Sequence, residues 1–352
     1  MNGETAMQQK TPRAAVIVPA YNAEATIEKT VRSVLNQSMG DLLLIVVDDG
    51  STDETAAILE RLQGEDARLL PIRIPNGGPA RARNVALEAV PDGTEYLMFS
   101  DADDLLSPDA LEYAIKNGGG ADLVLMGFSI LQPDGSENRY FEPQALYTPD
   151  TLGTALGRLY KANLLNQVWG KLFRAALIQK GNLRFADFRW GEDRLFIYDC
   201  LERAGSVAVL PEIRYQYIMH PGESLITRYY DKKPDVCVLA DERMQELCER
   251  FGAEDQRDFR YMFMKGIFSC MTTLFSPKCT LTKEEKEAEI RRILENEHVR
   301  ARSSDVFGGP AVQALCAVIR TGSVPLSYAA FSFVAKAGEA APRLFTRLKH
   351  KK

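Results

Sequence analysis

The stretch "LLLIVVDDGSTDETAAILERL", residues 42–62, passes from strand to helix within a few positions. Leu42–Val47 is an unbroken apolar run ending in β-branched residues, as a strand buried on both faces of a parallel sheet requires. Asp48, Asp49 and Gly50 follow at once, which is turn chemistry. Ser51 and Glu54 have the spacing of a capping box and predict a helix through Leu62. The unit is therefore strand, acidic turn, helix, with the polar turn at the strand's carboxyl end.

The same alternation extends in both directions. Upstream, "AAVIV" (Ala14–Val18) is a short β-branched run, and "EATIEKTVRSVLNQ" places Ile27, Val31, Val34 and Leu35 on one helical face. Downstream come "LLPIRI", a helix "PARARNVALEAV" with Pro79 near its start, "EYLMFS", a helix "PDALEYAIKN" and "ADLVLMGFSI". Strands alternating with helices predict an α/β fold with a mostly parallel, doubly wound sheet. Ligands of such sheets sit beyond the carboxyl ends of the strands. Three polar motifs fall there: "PAYN" (19–22), "DDGSTD" (48–53) and "DADD" (101–104). The topology brings them to one rim.

Residues 131–230 are less regular. They hold a hairpin signal at "QPDGSENRY", the segments "NQVWGKLFRAALI" and "FRWGEDRLFIYDCLERAG", a strand "SVAVL", and "IRYQYIMHPGESLI". After Lys232 helical patterns dominate. The expected organisation is a flexible N-terminus (1–12), an α/β domain (13–230, halves 13–130 and 131–230), a helical annex (231–323) and a basic amphipathic tail (324–352).

Composition narrows the function classes. A formal net charge of −5 does not favour nucleic acid. The six cysteines show no C-x-x-C, and His220, His298 and His350 lack zinc spacing, so packing thiols in a reducing compartment are expected. Residues 1–13 have no apolar h-region, and Thr321–Ala335 is too short and mixed for a membrane span. A cytoplasmic location is the expectation.

Asp101 and Asp103, one residue apart after a strand, make a hard oxygen site suited to Mn²⁺ or Mg²⁺ with substrate phosphate completing the shell. The competing reading is an acidic, helix-capping turn before Pro108. Asp48 and Asp49 could accept from a base or sugar, or simply build the turn. Arg81 and Arg83 open a helix, where phosphate is welcome and where plain surface charge is also common. "WGED" (190–193) puts Glu192 and Asp193 at a helix start, either as dipole-favoured charges or as a general base opposite the metal site.

With "AAVIVPAYNAEATIEKTVRSVLNQS", "LIVVDDGSTDETAAIL", "GGPARARNVAL", "YLMFSDADDLLSPDAL" and "WGEDRLF" in this order, residues 13–230 resemble a family 2 glycosyltransferase of the GT-A fold. The resemblance implies an inverting, metal-dependent enzyme that moves a sugar from a nucleotide-sugar, UDP favoured, to a hydroxyl of a glycan, polymer or lipid-linked acceptor. It implies that Pro19, Ala20 and Tyr21 line the nucleoside pocket, that Asp49 faces the base beside Asp48, and that Arg83 approaches the nucleotide. Asp103 and Asp101 would hold the metal, with Asp101 nearer the ribose or sugar and His220 near the diphosphate. Asp193 would be the base, with Trp190 and Glu192 shaping the acceptor site. Nucleotidyl transfer onto a sugar phosphate is a second reading, but it wants a glycine- and arginine-rich loop where "PAYNAEAT" stands. A non-catalytic nucleotide-sugar or glycan-binding protein is the third.

In the tail, Tyr328, Phe331, Phe333, Leu344, Phe345 and Leu348 give apolar bulk and Arg343, Arg347, Lys349, Lys351 and Lys352 give charge. Such an end suits peripheral contact with an anionic inner membrane face. A docking helix or a homo-oligomer contact is the competing reading.

Overall fold

The computed structural model describes residues 11–220, 229–305 and 308–340. The chain divides into two compact units, residues 1–152 with 162–220, and residues 153–161 with 221–352.

The first unit opens with the alternation read from sequence. Strands β1 (Ala14–Ala20), β2 (Leu42–Asp48), β3 (Leu69–Arg73) and β4 (Tyr96–Phe99) are linked by helices α1 (Ile27–Leu35), α2 (Thr55–Glu65) and α3 (Pro79–Glu88). Then come β5 (Leu105–Leu106), α4 (Ala110–Asn117), β6 (Leu123–Leu131), β7 (Glu137–Tyr140), β8 (Ala145–Tyr147), α5 (Pro149–Lys161), β9 (Lys171–Arg174), α6 (Ala175–Lys180), α7 (Glu192–Arg203) and β10 (Val207–Ile218). The sheet order is β3-β2-β1-β4-β9-β6-β10-β5, with β7 on β6 and β8 on β10.

β1, β2, β3 and β4 pair in parallel, and β6 and β10 pair in parallel. β9 lies antiparallel to both β4 and β6, so β6 and β10 run in the same direction as β1. β5, β7 and β8 run antiparallel to their partners. The hairpin expected at "QPDGSENRY" is the β6–β7 connection, with Gly135 at φ +82° in its turn.

The core of this unit is β1, from Ala14 to Val18 fully buried, flanked by Leu44–Val47 of β2 and Leu97–Phe99 of β4. Burial on both faces explains the absence of alternation in these strands. One local expectation fails. α2 begins at Thr55, and Ser51 does not cap it, because the Ser51 hydroxyl accepts from the Asn22 amide at 2.9 Å. The first turn uses Asp53 instead, whose Oδ1 accepts from the Thr55 amide at 3.0 Å.

The second unit is helical, as the patterns after Lys232 indicate. It contains α8 (Lys233–Phe251), α9 (Arg257–Thr273), α10 (Lys283–Glu295), α11 (Glu297–Ser304), α12 (Pro310–Arg320) and α13 (Val324–Ala340). It also draws in residues 153–161 of α5. Thr282 and Glu285 form a reciprocal capping box on α10. Buried Asp241 ties α8 to α11, pairing with His298 at 2.8 Å and Arg302 at 2.7 Å.

The first part of the tail belongs to this unit. Phe331 of α13 is fully buried beside Phe268, and Tyr328 packs edge-on against Phe275. Phe333 is 73% exposed. The basic residues from Arg343 onward, with Leu344, Phe345 and Leu348, lie outside the described residues, as do residues 1–10 and most of "HPGESLI". No helix among the described residues is long and apolar enough to cross a membrane.

Candidate active site

The loops that follow β1 and β2 are laced together. Asn22, at φ +47°, donates its amide to Ser51 Oγ, and its Oδ1 accepts from the Thr52 amide at 2.8 Å. Ala23 N–H donates to Thr55 Oγ1, and Glu24 N–H to Asp53 Oδ2. This network fixes "PAYN" and "DDGSTD" as one rim. Pro19 and Ala20 end β1 in register with Val47 and Asp48, and Tyr21 just beyond them is 53% exposed.

Asp48 and Asp49 are both buried and both serve the rim itself. Asp48 Oδ1 accepts from the Ser51 amide at 2.9 Å, and Arg73 Nε lies 3.4 Å from its Oδ2. Asp49 accepts from the amides of Gly77 (2.8 Å) and Gly78 (2.7 Å) and from Asn76 Nδ2 (3.2 Å). A carboxylate offers about four lone-pair positions, so one remains for any base. Holding the 76–78 loop is the contact Asp49 makes here. Gly50, next after Asp49, is obligatory: it sits at φ +73°, and a Cβ would stand 2.8 Å from Asn76 N.

The third motif is pinned from below. Buried Asp104 accepts from Tyr215 Oη at 2.6 Å and from the Ile218 amide at 2.9 Å. Tyr215 Oη in turn accepts from the Asp101 amide at 3.1 Å. Trp169 stacks on Tyr215 and on Tyr217, with ring centroids 4.7 and 5.5 Å apart. Asp104 is thus an anchor for the turn, while Asp101 and Asp103 stand above it with side chains 29% and 42% exposed. His220 Nε2 lies 3.8 Å from Asp103 Oδ2.

"WGED" arrives at the same place. Gly191 caps α7 at φ +82°, and α7 docks through Phe196, which stacks on Phe185 at 4.0 Å and packs edge-on against Phe99. Phe185 is itself held by Asn84, through Phe185 N–H to Asn84 Oδ1 and Asn84 Nδ2 to Phe185 O, both at 2.9 Å. Asp193, three residues before Phe196 on the same helical face, is carried to the site by this packing.

Arg83 joins the pieces. Its Nη1 donates to Glu192 Oε1 (3.0 Å) and Asp193 Oδ1 (2.8 Å), and its Nη2 donates to Asp101 Oδ1 (3.0 Å). The guanidinium lies 5.3 Å from the Phe185 ring centre, and the side chain is only 4% exposed. Arg83 is turned inward, with each of its Nη groups donating to carboxylates. Glu192 is buried and bound to Arg83. Trp190 is partly exposed, with the Arg194 guanidinium 5.8 Å from its ring centre.

The charges act on one another. Burial pushes Asp193 up to about 7, with Arg83 opposing and Glu192 and Asp101 adding to the rise. Burial alone would depress Arg83, but Asp193, Asp101 and Glu192 outweigh it and hold the guanidinium firmly charged. Burial raises Asp103, the charge of Asp101 adds to it, and His220 opposes. Lys171 of β9 is fully buried, donates to Trp169 O at 3.3 Å, and is depressed to about 7 by burial, against the pull of Asp193. Sequence reading missed Lys171 and Tyr215, because a lysine in "KLFR" and a tyrosine in "IRYQYI" look like ordinary strand residues.

Among the described residues no three His, Cys, Asp or Glu side chains converge as a closed metal cage. Two carboxylates on an open turn do fit Mg²⁺ or Mn²⁺, which keep waters and take phosphate oxygens beside one or two carboxylates. The raised Asp103 is a group whose charge a cation would relieve.

The fold is that of a GT-A type domain. Residues 15–179, a little under half of the chain, match the family described as Glycosyl transferase family 2. An uncharacterized glycosyltransferase, EpsJ of Bacillus subtilis (strain 168), is 31% identical over 215 residues, covering 60% of this chain and 62% of that protein. The poly(ribitol-phosphate) beta-N-acetylglucosaminyltransferase TarP of Staphylococcus aureus (strain N315) is 27% identical over 220 residues, covering 60% of this chain and 64% of TarP. The match thus spans less than two thirds of the length of these curated relatives. The crystal structure of S. aureus TarS 1–349 in complex with UDP-GlcNAc superposes with a TM-score of 0.66 at 21% identity, covering 93% of this chain and 92% of that one.

Proposed function

We propose that this protein is an inverting glycosyltransferase that moves a sugar from a nucleotide-sugar, with UDP favoured, to a hydroxyl of a glycan, polymer or lipid-linked acceptor. The observation that carries the reading is the coupling of two carboxylate centres, one after β4 and one in the first turn of α7. The Asp101–Asp103 turn and Asp193 meet through one arginine.

In this reading Pro19, Ala20, Tyr21 and the remaining acceptor position of Asp49 receive the nucleoside. Asp103 and Asp101, with His220 beside them, would hold a divalent cation, which would supply charge neutralisation to the departing diphosphate. Asp193 accepts the proton of the acceptor hydroxyl as its oxygen bonds to the anomeric carbon. The bond to the diphosphate breaks in the same displacement, its electron pair leaves with the nucleoside diphosphate, and the anomeric configuration inverts. A carboxyl held near 7 is matched to that role at neutral pH. A donor bearing UDP draws support from the UDP-GlcNAc complex of the TarS fold neighbour, and a polymer acceptor from the name of TarP. The location that goes with this reading is cytoplasmic, with residues 324–352 providing any peripheral contact at the membrane.

The test is a panel of nucleotide-sugars with Mn²⁺, read by nucleotide release and by the anomeric configuration of the product. Release from one UDP-sugar with inversion is the expected result. Pyrophosphate release from a nucleoside triphosphate and a sugar phosphate, with no turnover of any nucleotide-sugar, would replace the reading with nucleotidyl transfer.

A further inference from the structure

We propose that Arg83 is the positioning residue of this site, a single fork that sets the donor-side turn and the acceptor-side base at a fixed separation, and that it is not a ligand of the nucleotide. This rests on the reading of Asp193 as the base.

The geometry has four parts. First, the fork is divided: Nη2 goes to Asp101 and Nη1 to Asp193 and Glu192. The partners lie 18, 109 and 110 residues further along the chain, so no local element could fix their spacing. Second, the guanidinium is buried, with Phe185 beneath it and Asn84, the next residue along α3, clamping the Phe185 backbone. Third, one donor is sacrificed. Arg83 Nε is buried and finds no acceptor among the described residues. An unsatisfied buried donor is a standing cost, so the side chain is held where it satisfies the carboxylates and not where it would satisfy itself. Fourth, three of the four Nη protons are already given to carboxylates, so a diphosphate could be met without breaking a charged bond only through the second Nη2 N–H. Arginine suits this task because its planar fork presents separate donors in a rigid array, which a lysine ammonium does not.

The charged groups around Asp193 are Arg83 of α3, Glu192 of α7, Asp101 of the β4–β5 turn and Lys171 of β9, and the backbone of Val168 also hydrogen-bonds it. Removing Arg83 takes away the cation that touches Asp193 directly and leaves the two acidic neighbours.

The experiment compares full-length wild type, Arg83→Lys and Arg83→Gln. It measures UDP affinity by calorimetry with Mn²⁺, and kcat against pH at saturating donor. UDP affinity is expected to stay within threefold in both variants. kcat is expected to fall at least 10-fold in Arg83→Lys and at least 100-fold in Arg83→Gln, with the acid limb of the Arg83→Gln profile moved to higher pH. Weakening of UDP binding by 10-fold or more, with kcat and the acid limb unmoved, overturns the proposal and makes Arg83 a donor ligand. Full transfer by Asp193→Asn sinks the base reading itself. An inactive Asp193→Asn beside an Arg83→Lys of wild-type kcat sinks the positioning role alone. Should both Arg83 variants unfold, a crystal structure of the wild type with UDP and Mn²⁺ decides. Nη1 still bonded to Asp193 supports the proposal, and a guanidinium swung onto the phosphates refutes it.

Discussion

Asp193→Asn separates chemistry from folding at the centre of the site. The aspartate is pushed up to about 7, chiefly by burial, with Arg83 opposing. If it is the base, transfer needs its ionised form. A group titrating near 7 is about nine-tenths ionised at pH 8 and about one-tenth at pH 6, so kcat should fall roughly tenfold between them. Asparagine keeps the shape and cannot accept the proton, which typically costs about 10²–10⁴ in rate. Stability moves the other way. An acid whose folded pKa lies above its unfolded value binds more protons in the folded state, so it destabilises as pH rises toward 7 and stays destabilising above it. Asp193→Asn removes that burden, and Arg83 keeps Asp101 and Glu192 as partners. At pH 8 the variant should therefore melt no lower than wild type while losing nearly all transfer. The assay is nucleotide release from pH 5.5 to 9, with melting curves on the same samples. A profile flat from pH 6 to 8, or an Asp193→Asn within tenfold of wild type, would mean that Asp193 is not the base.

Asp103→Ala should abolish the Mn²⁺-dependent part of UDP binding, measured by calorimetry with and without the metal, and leave the melting temperature nearly unchanged because the side chain is 42% exposed. An active variant that still responds to Mn²⁺ would overturn its role. Asp49→Ala removes two backbone partners and one amide partner, at about 1.5–3 kcal/mol per bond to a charged group before any relaxation. Urea unfolding should show a loss of several kcal/mol, and a loss under about 1 kcal/mol would mean that the 76–78 loop is held by something else. Lys171→Met should stabilise the first unit in a pH-dependent way. A lysine depressed from 10.5 to about 7 binds fewer protons folded than unfolded, so its penalty is absent above 10.5, grows as pH falls, and is complete below about 7. The gain in melting temperature should thus be larger at pH 6 than at pH 10, and a lower melting temperature at pH 6 would disprove it.

The strand–helix alternation was legible because each element of the first half carries its own signal: β-branched runs buried on both faces, amphipathic helices, and polar turns at strand ends. β9 was not. "KLFR" is four residues long and reverses direction between β4 and β6, a placement set by pairing partners far away in sequence. The site divides in the same way. Asp101, Asp103 and Asp193 stand in motifs whose local spacing speaks for them. The inward turn of Arg83, the burial of Glu192 and the anchoring of Asp104 by Tyr215 depend on contacts more than a hundred residues apart, which no local pattern encodes. Ser51 failed as a cap for a similar reason, since its hydroxyl is claimed by the loop after β1.

Five carboxylates gather at this site, and how each is neutralised assigns its part. Asp104 is buried and spends its oxygens on Tyr215 and Ile218, which takes it out of reach of any ligand. Asp101, Glu192 and Asp193 share the charge of Arg83. Among the described residues Asp103 has no arginine or lysine in ion-pair contact, only His220 at 3.8 Å, and its carboxyl is raised by burial and by Asp101. It would therefore be the carboxylate with most to gain from an approaching cation, and Asp101, already half-satisfied by Arg83, would be the second ligand in the proposed reading. A diphosphate brought alone to this rim would meet uncompensated negative charge and be repelled. Brought with a divalent cation it would meet Asp103 first. The ordering implies that metal and nucleotide bind interdependently, each raising the affinity for the other by the same factor. Titrating UDP at fixed Mn²⁺, and Mn²⁺ at fixed UDP, measures that factor, and independent binding of the two would break the assignment of Asp103.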